Sequence, residues 1–291
     1  MHKNLSLPTL SLIISFSLIF TGCSDNKNEI NRQNSQLITG LIFWGPIKSV
    51  KSTFNTTSDS DEQKRSAEGN MSIQYTSDGE LTSYHYDSVV YMGQNESTFF
   101  SKMVMKSSFD KSTLLSKKMS STFYDKNDIE NLIITTDFYY SANEESKQIN
   151  NIRTISNKHS PKTNIQHVFW ENNRVDRVSG QDFQGLKTSI KYNYNKQGNL
   201  AATIDSEENK NKTSFSTIKK IEYHYDNDGF FSKAVAQFYG KKLNSEYTYL
   251  DITSCLENDI HGNCLIAEMS KFSPEGLLEF KTTHKYEYQY Y

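Results

Sequence analysis

Two tetrapeptides of identical sequence contain the residues best suited to acid–base chemistry. Each reads Tyr-His-Tyr-Asp, which places His85 beside Asp87 and His224 beside Asp226. Imidazole and carboxylate groups can exchange protons near neutral pH or bind a metal, so a shared site would suit hydrolysis. In a strand, however, alternate side chains face opposite sides. If the tyrosines face the core, the histidines and aspartates face solvent, and we expect this arrangement.

The remaining candidate residues have simpler interpretations. Three histidines stand alone and are expected at the surface: His159, His167 and His284. The two tryptophans could stack on a sugar or an apolar ligand, but we expect them to be core aromatics. Phosphate-binding loops, serine-nucleophile elbows and zinc-binding helix motifs are absent from the sequence, so we predict no catalytic residue, metal site or cofactor. The residues of a candidate ligand-binding face are His85, His224, Trp44 and Trp170.

The start of the chain predicts export from the cytoplasm. Lys3 precedes a mostly apolar run from Leu5 to Phe20, and two small residues, Thr21 and Gly22, follow it. A basic start, a short apolar run and a small-residue cleavage site define a signal peptide. The run is too short and too rich in serine for a comfortable membrane-spanning helix. We therefore expect residues 1–22 to be removed.

The cleavage site also resembles a bacterial lipobox. The matching residues are Phe20-Thr21-Gly22-Cys23, with Phe20 where leucine is usual. This resemblance implies cleavage before Cys23, an S-diacylglycerol group on its sulfur and an N-acyl group such as palmitate. Ser24, rather than Asp, follows Cys23, which favours the outer over the inner membrane. The implied product is an envelope lipoprotein that faces the periplasm and contacts the membrane through lipid.

The other two cysteines, Cys255 and Cys264, predict a disulfide. The compartment beyond an export signal is oxidising, so a disulfide is the default interpretation of such a pair. Between them lie Asp259, Gly262 and Asn263, which suit a turn. A structural zinc site would need four ligands, and His261 alone does not complete such a set.

Composition predicts an all-β fold and excludes nucleic acid as a partner. The formal net charge is −2, so no basic excess exists to neutralise phosphates. The chain has 18 Tyr and 17 Phe against 4 Pro, and aromatic residues favour strands. Residues 23–36 are almost all polar, which indicates a flexible tether. Residues 37–291 are predicted to form one large twisted antiparallel sheet of consecutive hairpins, open or partly rolled.

One turn pattern recurs four times: an aromatic residue, Gly four positions later, and Leu or Phe two positions after that. A type I turn followed by Gly in the left-handed region closes such a hairpin. The pattern resembles the tyrosine–aspartate repeats of RHS-like proteins, from which we take only hairpin geometry. The four copies are Tyr75–Leu81, Tyr194–Leu200, Tyr225–Phe231 and Phe272–Leu278.

Several segments together resemble the YnfC-type lipoproteins of enteric bacteria. They are Gly45–Lys48, Tyr223–Gly229, Cys255–Cys264 and the closing Tyr290-Tyr291. The resemblance implies a lipid-anchored envelope protein of uncharacterised function. Our first hypothesis is a non-enzymatic binding or structural module with an envelope protein or a glycan as its ligand. The alternative is a hydrolase of envelope polymers that uses the His and Asp residues of the two tetrapeptides.

Overall fold

A computed structural model shows one helix and sixteen strands in the part of the chain that it describes. The described residues are 23–41, 43–58, 64–93, 99–110, 116–124, 130–141, 148–156, 162–182, 185–208, 215–242 and 245–291. The helix α1 spans Cys23–Thr39. The strands are β1 Ile47–Ser58, β2 Lys64–Tyr75, β3 Leu81–Gly93, β4 Phe99–Asp110, β5 Ser116–Tyr124, β6 Glu130–Tyr140, β7 Ile149–Ser156, β8 Lys162–Glu171, β9 Arg174–Gln181, β10 Lys187–Tyr194, β11 Leu200–Glu208, β12 Phe215–Tyr225, β13 Phe231–Lys242, β14 Ser245–Asn258, β15 Cys264–Phe272 and β16 Leu278–Tyr290.

The strands form a single antiparallel sheet in which each strand pairs with the next one along the chain. This confirms the predicted sheet of consecutive hairpins. The first and last strands also pair with each other, with Val50 opposite Tyr288 and Phe54 opposite His284. The sheet is therefore rolled into a closed barrel, with β1 between β2 and β16.

The two faces of the sheet differ sharply in character, as β16 illustrates. Its residues Tyr286 and Tyr288 pack inward against the core, whereas the intervening Lys285, Glu287 and Gln289 are exposed. Because side chains alternate along a strand, one face is aromatic and the other is charged. The barrel thus has an aromatic interior and, along this strand, a polar outer wall that suits contact with water.

The four recurrent turns have the predicted geometry. Their glycines Gly79, Gly198, Gly229 and Gly276 have φ values between 78° and 87°. In each turn the aromatic residue pairs directly with the later Leu or Phe, as Tyr225 does with Phe231. Two further turns use glycine in the same way, at Gly185 and Gly262. The turn between β8 and β9 instead uses Asn172 and Asn173, both at positive φ.

Replacing Gly229 with valine should destabilise the protein by about 1–3 kcal/mol through backbone strain. A Cβ atom at this position would meet no atom within 4 Å, so the cost comes from the φ of +82° alone. Urea unfolding measures the change. Gly229→Asn is the matched control and should cost less, because asparagine tolerates the left-handed region. Equal stability of the valine variant and the parent would contradict the turn assignment.

Helix α1 corrects the prediction of a flexible tether over residues 23–36. The apolar side chains Ile30 and Ile38 are buried on one face of the helix, and the polar Asn34 lies between them at the same spacing. Low hydrophobicity indicated disorder, but this helix is fixed by hydrogen bonds as well as by apolar contacts. The helix is therefore part of the folded domain, and the domain begins well before residue 37.

The hydrogen bonds of α1 place it across one end of the barrel, called here the helix end. Asn31 Nδ2 donates to the Asp78 carbonyl in the β2–β3 turn at 2.7 Å. Asn34 Oδ1 accepts from the Ile149 N–H at the start of β7, at 3.0 Å. Gln33 Oε1 accepts from the Val175 N–H at the start of β9, at 3.4 Å. Side chains of the helix thus form hydrogen bonds with backbone groups in one turn and at the starts of two strands.

Most fully buried side chains lie on the strands from β1 to β3 and from β6 to β9. They include Val50, Ile73, Phe138, Ile149 and Val175. Dense packing therefore fills one side of the barrel together with α1.

Among the described residues, no helix has the length and apolar character of a membrane-spanning segment.

The predicted disulfide is confirmed. Cys255 and Cys264 are joined with an S–S distance of 2.06 Å and a Cα–Cα distance of 5.7 Å. The bridge spans the hairpin of β14 and β15, next to the turn that contains Gly262. It ties these two strands together at the helix end.

Candidate functional site

A cavity of about 330 Å³ lies inside the barrel, on the side away from the dense core. Strands β12 to β16 form its wall, and Leu41, Phe43 and Trp44, which lie between α1 and β1, close it at the helix end. This size is within the range of small-molecule pockets in proteins. The space exists because inward positions of β13 hold the small residues Ala234 and Ala236, where larger side chains would fill it.

The part of the wall nearest the helix end is aromatic. Tyr223 and Tyr225 of β12, Phe231 of β13, and Tyr286 and Tyr288 of β16 all line the cavity. Aromatic side chains offer large apolar contact areas, and tyrosine adds a hydroxyl group. This part of the cavity therefore suits an apolar group.

Two of the tyrosine hydroxyl groups in this wall donate hydrogen bonds to backbone carbonyls. Tyr225 donates to the Leu200 carbonyl at 2.8 Å, and Tyr288 donates to the Cys264 carbonyl at 2.9 Å. Burial raises the pKa of Tyr225, and likewise that of Tyr286, to about 12. These phenols are thus neutral near pH 7, so they can orient a ligand but offer no ready proton acceptor.

Charged side chains enter the wall farther from the helix end. Along β12 the inward residues change from Tyr225 and Tyr223 through Ile221 to Lys219. Along β14 they change from Thr253 to Asp251. The cavity is therefore graded, with an apolar end beneath α1 and a charged end toward the middle of the barrel.

Leu41, Phe43 and Trp44 lie between this cavity and a groove of about 550 Å³ on the surface at the helix end. The backbone N–H of Trp44 donates to Asn263 Oδ1 at 2.6 Å, and Asn263 Nδ2 donates to the backbone carbonyl of Trp44 at 2.7 Å. The Arg32 guanidinium lies 4.4 Å from the centroid of the indole ring. These contacts fix Trp44 in place between the two spaces.

Comparisons with known proteins identify no family for the chain. No protein-family model matches it, and no curated protein matches it. A porin-like protein from Bacteroides uniformis is similar with a TM-score of 0.46 at 10% identity, over 85% of this chain and 99% of that one. A DUF1329 family protein from Desulfovibrio piger has a TM-score of 0.23 at 8% identity, over 91% of each chain. A beta-barrel-like protein of DUF1849 from Brucella abortus has a TM-score of 0.20 at 10% identity, over 84% of this chain and 99% of that one. These values are too low to support an argument about function.

The two Tyr-His-Tyr-Asp tetrapeptides do not converge. His85 lies on β3 and His224 on β12, which are not neighbours in the barrel, and both histidines are exposed. His85 contacts Asp87 at 2.7 Å on the outer face. Asp226 Oδ1 instead accepts hydrogen bonds from the backbone N–H groups of Asp228 and Phe230 within its turn. The tyrosines face inward and the histidines outward, as strand alternation predicts.

The two tryptophans have different environments. Trp170 packs against the core and donates its indole N–H to the Ile149 carbonyl at 2.9 Å, as a structural aromatic would. Trp44 lines the cavity, so of the four residues on the candidate ligand-binding face it alone contacts this space. Among the described residues, no group of three or more His, Cys, Asp and Glu side chains could hold a metal.

The isolated histidines have mixed outcomes. His159 lies outside the described residues, and His167 is exposed, as expected. The expectation for His284 is wrong. Its ring lies inside the barrel between Phe54, at 5.3 Å between centroids, and Tyr286, at 5.9 Å. The ring pairs with aromatic neighbours on adjacent inward positions, which the isolated sequence position did not reveal.

Acidification should destabilise the protein partly through His284, because burial lowers the pKa of its imidazole. The unfolded chain, with a histidine pKa of about 6.5, then binds protons more readily than the folded protein. The stability present above that pH is lost as the pH falls through about 6.5 toward the lower folded-state value. We expect the melting temperature of His284→Phe to fall less than that of the parent between about pH 7 and pH 5. The exposed His167→Phe is the control, and identical pH profiles for all three proteins would contradict the assignment.

Proposed function

We propose that this protein is a lipid-anchored component of the bacterial cell envelope that binds a small apolar or amphipathic molecule inside its barrel. The observation that carries the proposal is the aromatic-walled cavity of about 330 Å³ beneath helix α1. Concave, largely apolar cavities with a few convergent polar groups are typical ligand sites. Binding without chemical change is the activity that we propose, because the histidines of the two Tyr-His-Tyr-Asp tetrapeptides lie outside this cavity.

The lipid anchor belongs to the same proposal. Helix α1 begins at Cys23, the residue that the lipobox resemblance selects for S-diacylglycerol and N-acyl attachment. A chain cut before this residue would pass from lipid directly into the helix, with no slack between them. The helix end of the barrel would then face the bilayer, and the charged outer wall would face the periplasm. The outer membrane, favoured by Ser24, is the proposed location.

The hydrolase alternative has less support. It requires His85 and His224 to act together, and these residues lie on the outer faces of strands that are not adjacent. Neither histidine lines the cavity beneath α1. A catalytic pair needs both groups within hydrogen-bonding reach of one substrate, so this placement does not favour it.

Fluorescence of the apolar probe N-phenyl-1-naphthylamine tests the proposed binding. The probe should bind the purified protein, freed of detergent, and Ala236→Phe should weaken binding about tenfold or more by filling the cavity. Val235→Phe is the matched control, since its side chain alternates to the outer face of β13, and it should bind as the parent does. Equal binding of the probe by both variants would contradict the assignment of the cavity as the binding site.

Incorporation of labelled palmitate in cells tests the anchor separately. We expect the label on the parent protein and none on Cys23→Ser, which should also leave the membrane fraction. Labelling that persists in Cys23→Ser would rule out attachment at this residue.

A further inference from the structure

Four charged side chains share the inner wall of the barrel at the charged end of the cavity. Lys219 and Asp251 line the cavity directly. Asp205 lies opposite Lys219 across the β11–β12 pair, and Lys271 lies opposite Asp251 across the β14–β15 pair. Residues directly opposite in antiparallel strands share a face, so all four point inward. Ionised groups are rare in a barrel interior, and a set of four needs an explanation.

The two lysines lie against aromatic rings. The Lys219 ammonium is 4.8 Å from the centroid of the Phe238 ring. The Lys271 ammonium is 5.1 Å from the Tyr249 ring and 5.3 Å from the Phe280 ring, with Glu279 Oε2 at 3.8 Å. A ring face attracts an ammonium but supplies none of the oxygen acceptors that its N–H groups prefer. Both ammonium groups are thus suited to receive an anionic oxygen.

Asp251 presents the complementary need. Within the described part of the chain, its Oδ1 atom is buried and has no hydrogen-bond partner. Burial raises the pKa of this carboxyl, an effect that Lys271 and Lys219 partly offset. A buried acceptor left unsatisfied is destabilising, and a ligand carrying an N–H or O–H donor would satisfy it.

We propose that Lys219, Asp251 and Lys271, with Asp205, bind the zwitterionic head group of a single-chain phospholipid. The phosphate accepts hydrogen bonds from the two lysines, and a primary ammonium donates to Asp251. With Glu279 beside Lys271, the two lysines and three carboxylates sum to −1, so the site suits a head group that carries a cation as well as an anion. This inference rests on the proposed function of the cavity and names the chemistry of its ligand.

The gradient of the cavity sets the orientation of this ligand. Its acyl chain extends toward the helix end, among Tyr223, Tyr225 and Phe231, while the head group stays at the charged end. A volume of about 330 Å³ is at the lower limit of ligand pockets, so it holds the head group and only a short part of one acyl chain. Burial of methylene groups is favourable, so the acyl chain supplies affinity and the head group supplies selectivity.

Displacement of N-phenyl-1-naphthylamine by lipids of one chain length tests the head-group site. Lysophosphatidylethanolamine has a phosphate and an ammonium donor, lysophosphatidylcholine lacks the donor, and monoacylglycerol lacks the phosphate. All three are added below their micelle-forming concentrations. We expect the ethanolamine lipid to displace the probe at about tenfold lower concentration than the others, as one charged hydrogen bond would produce.

Two variants locate this selectivity in the named residues. In Asp251→Leu the advantage of the ethanolamine lipid over the choline lipid should disappear. In Lys219→Met the advantage over monoacylglycerol should shrink, while probe binding persists in both variants. Lys220→Met is the matched control, because Lys220 faces outward toward Glu222, and it should retain the selectivity of the parent. Circular dichroism melting of each variant checks that it is folded.

The outcomes separate the two proposals. Equal displacement by all three lipids, with probe binding intact, overturns the head-group site and leaves the cavity function standing. Selectivity that survives unchanged in both folded variants overturns the assignment of these residues. Failure of the probe to bind, or equal probe binding by Ala236→Phe and the parent, overturns the proposed function itself.

Discussion

Replacing Gln33 and Asn34 together by leucine should strongly destabilise the protein. Both side chains are buried, and each accepts a hydrogen bond from a backbone N–H at the start of a strand, Val175 and Ile149 respectively. Leucine cannot accept a hydrogen bond, so two buried donors would lose their partners. Each such loss costs about 1–3 kcal/mol, even though leucine is the better helix former.

Chemical denaturation followed by circular dichroism measures this effect, and Asn28→Leu provides the comparison. Asn28 lies on the exposed side of the same helix, so its replacement should change stability by about 0.5 kcal/mol or less. If the double variant were as stable as Asn28→Leu, α1 would not be held at the barrel end by these hydrogen bonds.

Truncation of Phe138 to alanine should cost about 3–5 kcal/mol. This side chain is 2% exposed and belongs to the dense core on the side of the barrel opposite the cavity. Its neighbours Lys117 and Ile152 on the flanking strands are also buried, so the vacated volume cannot easily collapse. Thermal and urea unfolding should both report the loss.

Phe169→Ala is the control for this truncation. Phe169 is 41% exposed on the outer face of β8, where the Arg177 guanidinium lies 4.5 Å from its ring centroid. Losing this contact should cost about 1 kcal/mol or less. Similar losses for the two phenylalanines would mean that the inner and outer faces of the strands have been exchanged.

The hairpin turns could be predicted from sequence because their cause is local. The left-handed glycine in Tyr194–Leu200 and in Tyr225–Phe231 is set by a few neighbouring residues. Alternation then assigned Tyr84 and Tyr223 to the interior and His85 and His224 to the exterior. None of this required knowledge of distant strands.

Helix α1 escaped prediction because its stabilising partners are distant in sequence. Asn34 Oδ1 accepts a hydrogen bond from the Ile149 N–H, and Glu29 Oε1 lies 3.3 Å from Arg174 Nε. Composition alone treats such a segment as unable to bury apolar surface. One signal was present, since Ile30 and Ile38 are spaced eight residues apart, about two helical turns, but two apolar residues are a weak pattern.

The cavity also depends on relations that no single segment reveals. Ala234 and Ala236 create space only because they face the same interior as Tyr286 and Tyr288, which follow some fifty residues later. The charged group is similar, since Lys219 and Asp251 are separated by β13 in the sheet. Cross-strand register determines such neighbours, and register follows from the whole ring.

The pairing of β1 with β16 also governs how the molecule can assemble. Val50 of β1 pairs with Tyr288 of β16, near the other end of the chain. The barrel therefore closes only when β16 is present. Before β16 pairs with β1, the two edge strands of the sheet have unpaired backbone groups. These groups can form hydrogen bonds with another polypeptide chain. Contacts of such long sequence separation also form slowly. A chain that ended at Leu277 would lack β16, lose part of the cavity wall and keep two open edges, so it would be prone to self-association.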